Sequence, residues 1–260
     1  MNEIIVPVLL FGAIGLAVGI ILSIASKLFE VKTDERIGLI CELLPGANCG
    51  GCGYAGCSAC AAAIVEGKAN VNICPGCLNV DKIAEIMGIK AEKNEPKAAF
   101  VMCSGKTDIA IKKYDFDGSI SCYDINKLKD GDKLCKYACL GYGDCVKKCA
   151  FGALEIKDSI VSVDYEKCTG CGVCASVCPK KVIKIMPKKT KVYVKCSSLD
   201  KGIVVKDNCK TGCIGCRICE KNCEAEAISV VDNLAVINTE KCTGCGVCAE
   251  KCPKKIIKIR

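Results

Sequence analysis

Nine cysteines between residues 122 and 178 recur nine more times between residues 196 and 252, at a constant offset of 74 residues. Cys122, Cys135, Cys139, Cys145, Cys149, Cys168, Cys171, Cys174 and Cys178 map onto Cys196, Cys209, Cys213, Cys219, Cys223, Cys242, Cys245, Cys248 and Cys252. The surrounding residues repeat as well, the stretch from Glu166 to Ala175 returning letter for letter from Glu240 to Ala249. Such a chain reads as two copies of one small unit, each stapled by its thiols rather than held by a large apolar core.

The chain carries 27 cysteines in 260 residues, an odd number that cannot pair completely as disulfides within one chain. Tandem C-x2-C-x2-C-x3-C runs, two of them ending in proline (Pro179 and Pro253), select iron-sulfur ligation over a disulfide framework. The hydrophobic share of 51% counts cysteine, Phe and Tyr are few and Trp is absent, so cluster ligation replaces much of the usual packing. The formal charge of +8 looks like a nucleic-acid signal only until the ligands are counted as thiolates. Each four-thiolate [4Fe-4S] site contributes roughly −2, so five sites bring the loaded protein to about −2 and no nucleic-acid partner is expected.

There is no His anywhere, which removes His general bases and haem or Rieske ligation by His. No dinucleotide fingerprint follows a strand, and Cys103-Ser-Gly-Lys-Thr107 lacks the first glycine of a phosphate loop. No catalytic residues are therefore expected on this chain, and no cofactor beyond the clusters.

Ile4 to Ala25 is an uncharged run of 22 residues, long enough as a helix to cross a hydrocarbon core of about 30 Å. Met1-Asn2-Glu3 offers no basic flank for a cleaved signal, so an uncleaved anchor is expected. Lys27, Lys32 and Arg36 follow it, and the positive-inside rule puts the remainder on the cytoplasmic side, where reduced thiols and clusters persist. Gly12, Gly15 and Gly19 share a face on which another helix can approach closely.

Beyond a connector, Cys49, Cys52 and Cys57 lie in a glycine-rich loop, and Cys74 follows after an Ala-rich helical stretch from Ser58 to Glu66. A second helix is expected from Val80 to Met87, stopped by Gly88. This C-x2-C-x4-C-x16-C arrangement resembles the small four-iron domain shared by Rnf-type membrane subunits and corrinoid iron-sulfur proteins. The resemblance implies that Cys49, Cys52, Cys57 and Cys74 are the ligands of a first cluster. Cys60 and Cys77 sit close enough to that set to compete for iron but read as small buried hydrophobes, and Cys41, with no partner at ligand spacing, reads as a packing thiol. Residues 91–98 are charged, carry a proline and read as a linker. The strand-like pattern between Phe100 and Ile120 has no firm assignment, and Cys103 has no counterpart in the repeat.

In a two-cluster ferredoxin the last cysteine of each motif crosses to the other cluster. The second repeat then gives Cys213, Cys216, Cys219 and Cys252 on one cluster and Cys223, Cys242, Cys245 and Cys248 on the other. The first repeat departs from this pattern, because Tyr142 stands where the second has Cys216. The spacing of Cys135, Cys139, Cys145 and Cys149 resembles the form found in the B subunits of Rnf complexes. It implies Cys135, Cys139, Cys145 and Cys178 on one cluster and Cys149, Cys168, Cys171 and Cys174 on the next, with Cys122 as the alternative to Cys135. Cys196 and Cys209 are expected to be buried thiols beside complete sets. Each unit also holds two short strands around a polar turn, Ala153 to Val163 and Ala227 to Ile237, and a last strand, Val182 to Ile185 and Ile256 to Ile259.

In order, the anchor, the four-iron domain and the ferredoxin pair resemble the B subunit of the Rnf complex along essentially the whole chain. The expected architecture is α+β and multi-domain: an anchor (1–28), a four-iron domain (29–90), a linker and connecting segment (91–121), and two ferredoxin-like modules (122–190 and 191–260). The resemblance implies a subunit of an ion-translocating ferredoxin:NAD oxidoreductase in the bacterial cell membrane, single-pass, carrying five [4Fe-4S] clusters. It also implies soluble ferredoxin as electron donor, the other Rnf subunits and the lipid bilayer as partners, and flavin and nicotinamide sites on other chains. An anchored polyferredoxin serving a hydrogenase or a corrinoid-linked reductase is the rival reading. A structural zinc or sensor protein is less favoured, since zinc does not explain crossed motifs ending in proline. The lysines at 180, 181, 184, 188, 189, 191 and 195 form a basic strip, read as a solvated face or as a dock for an acidic ferredoxin or anionic lipid.

Overall fold

The uncharged N-terminal run forms one helix, α1 (Asn2–Leu28), and the computed structural model describes residues 2–28, 34–91, 95–116 and 120–260. At about 1.5 Å per residue, α1 exceeds the roughly 30 Å hydrocarbon core of a bilayer. Its apolar stretch, Val8–Lys27, buries nothing against the rest of the chain. Cβ atoms placed on Gly12, Gly15 and Gly19 meet only open space. Lys32 lies outside the described residues.

Three short helices follow, α2 (Glu35–Leu43), α3 (Cys57–Val65) and α4 (Val80–Met87). Ile40, Ile64 and Ile83, one from each, are fully buried together with Ala61 and Cys60. Gly88 closes α4 in the left-handed region at φ 67°, a conformation that only glycine adopts without a Cβ penalty.

The first repeat unit contains β1 (Lys97–Val101), α5 (Cys122–Lys127), α6 (Asp144–Lys147), β2 (Leu154–Lys157), β3 (Ile160–Val163), α7 (Val173–Ser176) and β4 (Ile183–Pro187). The second contains β5 (Val192–Val194), α8 (Gly202–Asn208), α9 (Ile218–Lys221), β6 (Ile228–Val231), β7 (Leu234–Ile237), α10 (Val247–Lys251) and β8 (Ile257–Ile259). Each has a hairpin, β2 with β3 and β6 with β7, and an antiparallel pair joining its first and last strands, β1 with β4 and β5 with β8. The hairpin turns are Asp158-Ser159 and Asp232-Asn233, all four at positive φ, the geometry that matches the twist of two-residue hairpins.

The expected linker and connecting segment at 91–121 is therefore only partly a connector, because β1 lies inside it and completes the first unit. Strand alternation explains the placement: Ala99 and Val101 enter the core of the first unit, whereas Ala98, Phe100 and Met102 face the other way. Phe100 packs on Tyr165 at 5.3 Å and on Tyr193 of β5 at 5.1 Å between ring centroids, and Arg260 stacks over Tyr165 at 3.8 Å. The units thus meet back to back through β1 and β5. Beyond β1, the strand-like pattern yields only isolated bridges among the described residues, Ala110 with Cys209 and Lys112 with Lys133.

This pairing also re-registers the repeat. Met102 donates its N–H to the Val182 carbonyl at 2.7 Å, and Lys195 donates to the Ile256 carbonyl at 2.9 Å. Val182 and Ile256 are equivalent, so Cys103 rather than Cys122 is the counterpart of Cys196. The first unit carries an insertion between Ser104 and Cys135, and α5 with Cys122 belongs to it.

Candidate metal centres

The thiols gather in groups of four. In the second unit Cys213, Cys216, Cys219 and Cys252 line one cavity of about 370 Å³, and Cys248 faces Cys242, Cys245 and Cys223. In the first unit Cys174 likewise faces Cys171, Cys168 and Cys149. In the helical domain Cys49, Cys52, Cys57 and Cys74 line a cavity of about 370 Å³, with Cys60 in its wall.

The irregular set resolves differently from expectation. A cavity of about 350 Å³ is lined by Cys139, Cys145 and Cys178, and its fourth thiol is Cys122; Cys135 is not there. Cys135 stands instead with Cys103 and Cys209. The inserted α5 explains the exchange. Ser121 caps it by accepting the Asp124 N–H at 3.1 Å, and the Tyr123 N–H reaches the Asp144 carboxylate at 3.1 Å, next to Cys145. The first residue of α5, Cys122, is thereby held at the cavity wall. Tyr142 turns its hydroxyl to the buried Asp132 carboxylate at 3.1 Å. Burial, then Asp132, pushes the Tyr142 phenol up to about 12.

Backbone donors point at several sulfurs, Ala153 N–H to Cys149 and Ala227 N–H to Cys223 at 3.4 Å, and Ala99 N–H to Cys168 at 3.3 Å. Such N–H···S contacts stabilise thiolate and set cluster potential. Burial pushes the thiols of Cys145 and Cys174 up to about 12 and those of Cys74, Cys139 and Cys219 up to about 11, so without metal they stay protonated. A bound metal's own charge reverses that preference. Among the described residues no three Cys, Asp or Glu side chains converge on a single metal-ion position. Four thiols around an apolar pocket, without three converging on one point, suit a multi-iron cluster, whose ligands are spread over several metal atoms, better than one zinc ion.

The remaining cysteines of the helical domain lie around its thiol set. Cys60 is buried, Cys77 meets the Leu43 carbonyl at 3.6 Å and Cys41 meets the Ser58 hydroxyl at 3.6 Å. Of the basic strip, Lys180 turns inward to the Asp130 carbonyl at 2.8 Å and Lys189 pairs with Glu95 at 2.6 Å, while Lys181, Lys184 and Lys191 are exposed.

Three family models match the chain: "Putative Fe-S cluster" over residues 44–75, "4Fe-4S binding domain" over 161–184 and "4Fe-4S dicluster domain" over 212–257. Among curated relatives, the B subunit of the Na(+)-translocating ferredoxin:NAD(+) oxidoreductase complex of Acetobacterium woodii is 44% identical over 93% of this chain and 74% of its own length. The B subunit of the ion-translocating oxidoreductase complex of Methanosarcina acetivorans is 45% identical over 95% of both chains. The chain belongs to the family of Rnf complex B subunits. A third relative in this family, the B subunit of the proton-translocating ferredoxin:NAD(+) oxidoreductase complex of Clostridium ljungdahlii, is 40% identical over 93% of this chain and 87% of its own length. The "4Fe-4S binding domain" match begins at residue 161 and so takes in only the regular half of the first unit. Family membership and the matched 4Fe-4S domains make this an iron-sulfur electron-transfer subunit.

Proposed function

We infer that this subunit accepts electrons from reduced soluble ferredoxin and relays them from its C-terminal unit towards its N-terminal anchor, for NAD reduction on other subunits of an ion-translocating complex. The chain then acts within a translocase but holds no substrate site of its own. Bound [4Fe-4S] clusters supply one-electron transfer, with every iron capped by thiolate.

The observation that carries the reading is the row of thiol sets. Gly51 and Cys49 of the first domain lie against Cys171, the set of Cys149, Cys168, Cys171 and Cys174 adjoins that of Cys122, Cys139, Cys145 and Cys178, and the second unit repeats the arrangement. Five sets support five clusters, with modules spanning 97–187 and 192–260 rather than starting at Cys122. The thiols line mostly apolar pockets, and the N–H donors fix the sulfurs. Among the described residues Cys216 and Cys245 are the only exposed cysteines, so the second unit offers the donor its nearest approach. Lys191 and Lys241 are exposed beside Cys242, and they complement an acidic ferredoxin. The anchor supports lipid contact, and the basic residues after it support a cytoplasmic position.

The test is ferredoxin-dependent NAD reduction by the purified complex. Lys191→Glu with Lys241→Glu raises the KM for ferredoxin several-fold, less so at high salt, and leaves iron content unchanged. An unchanged KM overturns the docking face. Co-purification with a hydrogenase, without NAD reduction, supports the polyferredoxin reading instead.

A further inference from the structure

Outside the five sets seven cysteines remain, and four of them meet in one cavity between the repeat units. We propose that Cys103, Cys135, Cys196 and Cys209 hold a sixth iron-sulfur cluster, built half by half from the two units. The inference goes beyond the five-cluster relay and rests on reading the chain as an iron-sulfur protein.

The four thiols are related by the repeat itself. Each unit gives the cysteine two residues past its first edge strand, Cys103 after β1 and Cys196 after β5. Each also gives the cysteine four residues ahead of its first motif cysteine, Cys135 before Cys139 and Cys209 before Cys213. The pocket they line is mostly apolar and carries four thiols, as do those of the ferredoxin-type sets. Thiols serving only as small hydrophobes have no reason to converge on one pocket from two units.

The sulfurs are dressed like the others. Cys103 Sγ accepts the Gly105 N–H at 3.3 Å and the Cys139 N–H at 3.4 Å, and Cys196 Sγ accepts the Cys213 N–H at 3.4 Å. The junction is held rigidly by pairing across it. Ile111 donates to the Asn208 carbonyl at 3.2 Å, Lys210 donates to the Ile109 carbonyl at 3.0 Å, and Ser197 donates to the Tyr137 carbonyl at 3.3 Å. The insertion of the first unit therefore grips Cys209 from outside. Cys103 touches the set of Cys139, and Cys196 touches the set of Cys213, so the site joins the two units into one uninterrupted row.

The deciding experiment is metal and sulfide analysis of the full-length, cluster-loaded protein. Six clusters give about 24 irons and 24 acid-labile sulfides per chain, whereas five give about 20. Cys103→Ser/Cys196→Ser loses about four irons and one signal in a redox-titrated EPR series; Cys41→Ser loses neither. Cys209→Ser, at the edge of the junction, gives the same loss where the double variant does not fold. A parent near 20 irons that the variants leave unchanged overturns the proposal, as does a single zinc lost from them in place of iron. Failure of the underlying iron-sulfur reading is distinguishable: the parent then falls well below 20 irons and Cys216→Ser costs none.

Discussion

Gly51 lies so close to Cys171 that a Cβ placed on it would stand 2.9 Å from the Cys171 Cβ and 2.8 Å from its carbonyl oxygen. Only a residue without a side chain lets the glycine-rich loop of the helical domain reach the first repeat unit. The neighbouring contact of Gly76 with Phe151, at 3.0 Å by the same measure, extends the seam.

Gly51→Ala is expected to part this seam without removing iron. Overpacking of this kind costs about 1–3 kcal/mol, which corresponds to roughly 5- to 150-fold more frequent local opening. Amide exchange around Gly50–Gly53 and Phe151–Gly152 measures it. Unchanged exchange there means that the two domains are not joined through Gly51.

Lys133 is buried, and its ammonium donates to three carbonyls, those of Gly105 at 3.0 Å, Cys139 at 2.7 Å and Ser159 at 3.0 Å. It ties the loop after Cys103 to the loop of Cys139 and to the hairpin turn. Lys133→Met leaves these acceptors unpaired, and each buried unsatisfied group costs about 1–3 kcal/mol. The expected result is a clear fall in the unfolding midpoint of the loaded protein. A midpoint within one degree or so of the parent's removes Lys133 from the scaffold.

Separate replacement of Cys122 and Cys135 distinguishes the two thiols. Cys122→Ser removes the signal of the cluster held with Cys139, Cys145 and Cys178, and Cys135→Ser leaves that signal intact. A cysteine restored at the motif position offers a stronger check. Tyr142→Cys, added to Cys122→Ser, recovers the lost irons, because position 142 is where the second unit carries Cys216. Loss on Cys135→Ser alone, with Cys122→Ser silent, reverses the assignment.

The repeat, the two hairpins and α4 were legible in the sequence because their causes are local. Motif spacing, turn residues and Gly88 act over a few positions. Cys122 was not legible as the fourth thiol, since it reaches its set from an insertion whose length carries no spacing rule. That insertion also carried the constant offset onto the wrong pair, matching Cys122 with Cys196 and hiding Cys103. β1 was obscured by the charged residues just ahead of it, although its Phe100 seals the contact between the units. Lys133 gave no signal at all, because only tertiary structure collects its three carbonyls.

The buried thiols also set a pH dependence that differs between the metal-free and loaded protein. Burial raises the Cys145, Cys174 and Cys196 thiols from an ordinary 9.0 up to about 12, and neighbouring thiols add to the rise at Cys145 and Cys174. In a metal-free fold the protonated form is the one accommodated. Its stabilising effect is complete below pH 9 and is lost as pH climbs from about 9 towards 12. Loading demands the reverse, four thiolates per set, so it releases protons and is weakened by acid. Iron release to a chelator should therefore quicken from pH 8 to pH 6, while the metal-free chain should melt earlier at pH 10.5 than at pH 8. Release that is independent of pH means that proton uptake by these thiols does not accompany cluster loss, and the protonated metal-free state is then not the one the protein adopts.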